Sequence, residues 1–307
     1  MDILISGSIG YDYLMRFPGR FANALVADKL DKISVSFLVE DMTRHFGGVA
    51  ANIAYTLARL GARPRLMGAA GQDFDAYRVY LEGHGVDTST VMQINELFTA
   101  SFFCNTDQEN NQIASFYAGA MARAGEYAIA DVTDRAPDYV VISPDDPAAM
   151  LRRVEECMAR GIPYLFDPSQ QVARLAPEVL RLGAAHAHML MCNEYEWEVI
   201  QQNTALSLAE VTAQGTIFIN TLGADGARLA VGDEVIWVPA VPPQVIADPT
   251  GAGDAFRAGV LRGFSLGLPW PTAVQMGHSA EPMPWKAWGR KPTTSPGGLC
   301  GALPPAL

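Results

Sequence analysis

Short apolar runs alternate along this chain with longer stretches whose apolar positions recur every three or four residues. Ile3 to Ser6 is a run of the first kind. Gly7-Ser8-Ile9-Gly10 closes it, which predicts a buried strand followed by a tight loop. Ala50 to Leu60 has helical spacing and stops at Gly61, a residue suited to the left-handed position past a helix end. Strand and helix then follow in pairs: Pro64–Ala69 with Asp73–Glu82, Tyr139–Ser143 with Pro147–Arg160, Tyr164–Asp167 with Leu175–Leu182, and Met189–Cys192 with Tyr195–Gln202. Such alternation predicts an α/β fold of right-handed βαβ units, with a mostly parallel sheet and helices on both faces. Ligands of these sheets bind at the carboxyl ends of the strands. Ser8, Asp167, Asn193, Thr221 and Asp254 all follow strand-like runs and are candidates to converge on one edge.

Two segments break the rhythm. Lys32 to Val39 and Ala100 to Tyr117 are rich in β-branched and aromatic residues, and both are expected to be strands of a small β-layer covering the site. That layer leaves a sheet edge exposed unless a second subunit pairs with it. From His278 onward the periodicity stops, and Pro282, Pro284, Pro292, Pro296, Pro304 and Pro305 forbid regular helix. The expected organisation is one domain over 1–277, with layer strands from about 12–46 and 98–118, and an aberrant tail over 278–307.

Composition narrows the function. At 307 residues and 49% hydrophobic, the chain can bury a substantial core. Its net charge is −11 without a basic run, which argues against nucleic acid as a partner. Cys104, Cys157, Cys192 and Cys300 show neither a CxxC pair nor metal-ligand spacing, so free thiols in a reducing compartment are expected. The start, Met1-Asp2-Ile3-Leu4-Ile5, lacks a basic leader, and no apolar run is long enough to span a bilayer. A cytoplasmic protein that does not engage the membrane is the expectation.

The most informative string is Asp248-Pro249-Thr250-Gly251-Ala252-Gly253-Asp254, set between an apparent strand and an expected helix from Ala255 to Leu266. Two glycines around one small residue let the backbone approach a ligand, and the helix start favours anions. A carboxylate beside an anion site repels the ligand unless it has work to do there. Accepting a proton from a hydroxyl that attacks phosphorus is the economical reason for Asp254. Gly251 to Asp254 read alone as GxGD would favour an ordinary glycine turn with Asp254 as an N-cap.

The remaining candidates each carry two readings. Gly47-Gly48 and Asn52 open a long helix and suit either ligand approach or an ordinary loop and surface amide. Asp12 follows the first Gly turn, as an acceptor for vicinal sugar hydroxyls or as a solvated loop acid. Phe102 and Phe116 suit a sandwich around a flat base or the core of a small sheet. Gln170 and Gln171 in Asp167-Pro168-Ser169-Gln170-Gln171 could read a heteroaromatic edge or form a polar turn. Asn193 to Glu196 suits a hydrated Mg²⁺ or a helix cap. Thr221 and Gly223 form a further strand-end turn.

Taken together, the GG…N, NxxE and DPTGAGD elements resemble the ribokinase superfamily, also called the PfkB carbohydrate kinases. The strings Leu14-to-Phe21, Ser34-to-Val39 and Asp167-to-Gln171 resemble its bacterial adenosine-kinase branch, and the resemblance covers residues 1 to about 277. It implies a ribokinase-like three-layer α/β/α sandwich with a small β-sheet lid, and ATP-dependent phosphorylation of the adenosine 5′-hydroxyl to AMP. It implies Asp254 as catalytic base, with Gly251, Ala252 and Gly253 as anion hole. Ser8, Asp12, Ser36, Gly48, Asn52, Phe102, Phe116, Gln170 and Gln171 are implied for the nucleoside. Asn193, Thr221 and Gly223 are implied for ATP, Glu196 for Mg²⁺ through water, and Asp248 for a monovalent cation such as K⁺. A homodimer through the lid is implied as well. Another nucleoside or sugar kinase, or an inactive nucleoside-binding protein, are the alternative functions. Past Gly277 the family pattern is missing. With ordinary codon choices, Glu281–Pro296 read in another frame can give T-Y-A-V-E-S-V-G-T-Q-T-H-H-F-T, which resembles the family continuation and implies a frameshift that impairs activity.

Overall fold

The computed structural model describes residues 1–24, 34–241, 251–280 and Met283. In chain order the strands are β1 (Ile3–Ser6), β2 (Gly10–Arg16), β3 (Asp41–Gly47), β4 (Arg65–Gly71), β5 (Val91–Ile94), β6 (Ala100–Thr106) and β7 (Gln112–Tyr117). They continue as β8 (Tyr139–Ile142), β9 (Tyr164–Phe166), β10 (Met189–Asn193), β11 (Ile217–Thr221), β12 (Ala227–Val231) and β13 (Glu234–Val238). Nine of them form one sheet in the order β13-β12-β11-β10-β9-β8-β1-β4-β5. From β11 to β5 every pairing is parallel, and β12 and β13 add antiparallel strands at one edge.

The central strands are apolar throughout because both faces are covered. Alternate residues enter two separate clusters: Ile3, Ile5, Val141, Leu165, Met191 and Ile219 in one, Leu4, Ile142, Phe166, Leu190 and Phe218 in the other. The first cluster takes in the helices Val49–Arg59 and Ala252–Ser265, the second Pro147–Arg160 and Pro177–His186. This is a three-layer α/β/α sandwich. Each large apolar side chain fully buried here contributes roughly 1.5–3 kcal/mol. Helix ends follow local chemistry. Asp146 caps Pro147–Arg160 by accepting from the Ala148 N–H at 2.9 Å, and Gly161 ends that helix at φ 64°.

A second sheet, β3-β2-β6-β7, pairs β2 with β6 in parallel and is otherwise antiparallel. It is anchored by aromatic packing. Tyr11 is buried and donates to the Asp73 carbonyl at 2.8 Å, and Phe46 stacks on Tyr77 with centroids 4.2 Å apart. The outer strand β7 exposes all six of its residues.

Several expectations shift. The expected strand at Lys32–Val39 is not seen over its described part: residues 34–39 carry no regular structure, and residues 32 and 33 lie outside the described residues. β2 and β3 supply the small sheet instead, so Asp12 lies within a strand rather than in a loop. The apolar run misled because Val35 and Leu38 are exposed, with no sheet face to bury them. The last long helix begins at Ala252, three residues before the expected Ala255, since Gly251 at φ 78° already serves as its N-cap. Asp248 and Cys300 lie outside the described residues, while Cys104, Cys157 and Cys192 are buried free thiols. Among the described residues no helix is long and apolar enough to cross a membrane.

Candidate active site

Two helix N-termini meet at the carboxyl edge of the central sheet. Gly48 caps Val49–Arg59, and Gly251 caps Ala252–Ser265. Both glycines are required by their backbones, at φ 94° and φ 78°. Gly48 is also tightly enclosed, since a Cβ there would stand 2.6 Å from the Ser8 carbonyl oxygen and 2.7 Å from the Gly10 nitrogen. The helices are joined across the site by Asn52, whose Nδ2 donates to Asp254 Oδ2 at 2.9 Å. Ser8 Oγ accepts from the Val49 N–H at 3.0 Å, and Tyr77 donates to the Gly47 carbonyl at 3.0 Å. The turn that carries Gly47 and Gly48 is therefore held from both sides. First-turn N–H groups lack intrahelical partners and, with the helix dipole, make this junction attractive to anions.

Above the junction lies one face of the small sheet. His45, Asp12, Phe102 and Phe116 are register partners on β3, β2, β6 and β7, so they form a single row across four strands. Asp12 Oδ2 sits 2.5 Å from where a Gly47 Cβ would be, which makes Gly47 necessary for the carboxylate's position. Burial alone lifts Asp12 to about 6. Asp254 is lifted to about 6 by burial, with Arg257 and Asn52 pulling it down and Asp167 and Asp12 pushing it up.

On the other side of Asp254 lies an ion pair that sequence reasoning did not single out. Arg257 Nη2 donates to Asp167 Oδ1 at 2.6 Å, and its Nε stands against Oδ2. Burial opposes the guanidinium charge, but Asp167 outweighs it and holds Arg257 above its usual value. The available signal was the spacing: Arg257 follows Asp254 by three, hence lies on the same helix face.

Further along the edge, Asn193 N-caps Glu194–Thr204 in a reciprocal capping box. Glu196 accepts from the Asn193 N–H at 2.8 Å and from its Nδ2 at 2.9 Å. The capping reading is the one observed, and each carboxylate oxygen keeps lone-pair capacity for a further hydrogen bond. Glu196 is raised by burial and by Asp167. A single buried carboxylate suits Mg²⁺ held through water with a nucleotide's phosphates, and among the described residues no cluster of three or more ligating side chains exists. Thr221 is the register neighbour of Asn193, and Gly223 follows at φ 59° with open space around it.

Not all candidates gather equally. Ser36 is exposed on the segment without regular structure. Gln170 and Gln171 do not lie as a matched pair: Gln170 is exposed, while Gln171 is buried and donates to the Asp145 carbonyl at 2.7 Å.

Residues 19–280 match the family model described as pfkB family carbohydrate kinase. The ligand-free nucleoside kinase of Burkholderia thailandensis is 34% identical, with 90% of this chain and 91% of that chain covered and a TM-score of 0.81. The Methanocaldococcus jannaschii nucleoside kinase structure is 25% identical over 91% of this chain and 90% of its own, with a TM-score of 0.80. A nucleoside kinase of Methanothermobacter thermautotrophicus is 28% identical over 87% of this chain and 83% of its own length. The chain belongs to the pfkB carbohydrate kinase family and is a nucleoside or sugar kinase of it.

Proposed function

We propose that this chain transfers the terminal phosphoryl group of ATP to the 5′-hydroxyl of a purine nucleoside, with adenosine among its acceptors. The observation that carries the reading is the Asn52–Asp254 hydrogen bond at the meeting of two helix N-termini, beneath the row Asp12, Phe102 and Phe116. Asp12 accepts hydrogen bonds from ribose hydroxyls, and the two rings receive the base. Asp254 orients the 5′-oxygen and takes its proton as the bond to phosphorus forms. N–H groups of the Gly251–Gly253 turn meet the growing negative charge. Asn193, Thr221 and Gly223 face the nucleotide, and Glu196 holds Mg²⁺ through water. Mg²⁺ supplies neutralisation of the phosphate charge when bound with ATP.

The Burkholderia thailandensis nucleoside kinase has been crystallised with inosine. This supports a purine acceptor broader than adenosine alone. The test is a panel of adenosine, inosine, guanosine, cytidine and ribose with ATP and Mg²⁺. Purine nucleosides should lead, and a clear preference for ribose would refute the reading. Asp254→Asn should lower turnover by roughly 10²–10⁴-fold while calorimetry finds nucleoside affinity little changed.

The tail from 278 to 307 is proposed to be read in a shifted frame, in keeping with a family match that ends at 280. The frame-corrected chain should then turn over faster than this one in the same assay. A gene whose shifted frame lacks the family continuation would sink the idea.

A further inference from the structure

Arg257 is 8% exposed and lies one helical turn beyond Asp254, inside the protein rather than at its surface. Its five N–H donors divide in a definite way. Nε and Nη2 engage Asp167, which is 0% exposed at the end of β9. Nη1 stands 2.8 Å from where a Gly253 Cβ would be. Gly253 therefore has a reason beyond ligand approach: a Cβ there would force the guanidinium to shift off its place against Asp167. The glycine turn rests on Arg257.

Charge gives the same residue a second task. Asp254 is faced by Asn52 from Val49–Arg59, Asp12 from β2, Tyr77 from Asp75–Glu82, Asp167 from beyond β9, and Arg257 on its own helix. Of these only Arg257 carries positive charge. A buried carboxylate ringed by acids would keep its proton and could not serve as a base. Asp167 answers the other half of the problem, since it prevents the guanidinium from swinging onto Asp254 and consuming it in a closed ion pair.

We propose that Arg257, clamped by Asp167, is the positioning residue of this site: it props the glycine turn from below and keeps Asp254 ionised without binding it. The inference rests on the reading of Asp254 as base. Arg257→Met with Asp167→Asn removes charge and clamp together and leaves no buried lone charge, so the variant remains foldable. Arg257→Lys keeps the charge but cannot fill the Nη1 position. In the full chain, carbon-13 carboxyl NMR, with Asp254 assigned through Asp254→Asn, follows its titration without any turnover. Arg257 acts on Asp254 more strongly than Asp167 does, so the double variant should still move that titration, and the acid limb of kcat/KM, to higher pH, by up to about one unit. Arg257→Lys should leave both in place while kcat falls roughly 10–100-fold at unchanged nucleoside KM. An Asp254 titration unaltered in the double variant overturns the inference. If the titration moves as stated in the double variant while the wild-type chain phosphorylates no nucleoside, the proposed reaction is refuted and the positioning role stands.

Discussion

All seven residues of β4 in the central sheet are buried, and all six of β7 in the small sheet are exposed. β4 holds two glycines and two alanines while β7 carries Ile113, Phe116 and Tyr117, so local strand preference does not predict which of the two is buried. The difference lies in what covers them. β4 receives helices on two faces, whereas among the described residues β7 pairs with β6 alone and is an edge strand. The first region is closed on both faces, and the second leaves Ile113, Phe116 and Tyr117 exposed. The acids of the site lie where the two regions meet, which is why Asp12 and Asp254 are both buried enough to rise to about 6.

The contrast can be broken most forcefully from the central side. Phe218 is 0% exposed and its ring lies 4.7 Å from that of Trp197. Phe218→Ala should lower unfolding free energy by about 3–5 kcal/mol, read by chemical denaturation. A loss below about 1 kcal/mol would mean that the helical layer is loosely packed there.

A smaller effect sharpens the picture of the buried edge. Asp145 is 2% exposed, and burial pushes it up to about 7. Its folded value exceeds the unfolded one, so the stability due to its neutral form is present at low pH and is lost as pH rises to about 7. Asp145→Asn should therefore stabilise the chain by roughly 1–4 kcal/mol at pH 8 and hardly at all near pH 4. Equal effects at both pH values would contradict a neutral buried acid.

The smallest change in stability is expected in the lid. Phe116 is 54% exposed, so Phe116→Ala should alter stability by less than about 0.5 kcal/mol. Nucleoside KM should nevertheless rise roughly 3–10-fold. An unchanged KM would take Phe116 out of the acceptor pocket.

Much of the fold was legible along the chain because its signals are local. A run such as Met189–Cys192 that must be covered on two faces is apolar at every step, and a helix that ends at Gly61 or Gly161 needs a residue tolerant of positive φ. The glycine turn before Asp254 announced itself in the same way. The small sheet was harder. Lys32–Val39 has the composition of a strand, but the pairing went to β2 and β3, whose mixed polar and apolar residues give a weaker signal.

The amino-acid sequence alone therefore determined most strands and helices of the central layers, where the anion-favouring helix start lies, and which acid stands beside it. Only the tertiary structure decided what that acid meets. Asn52 and Asp254 are 202 positions apart, and Asp167 and Arg257 are 90 apart. No local pattern specifies such pairs, because they form only once the sheet has brought distant loops to one edge and excluded the water that would otherwise satisfy each group separately.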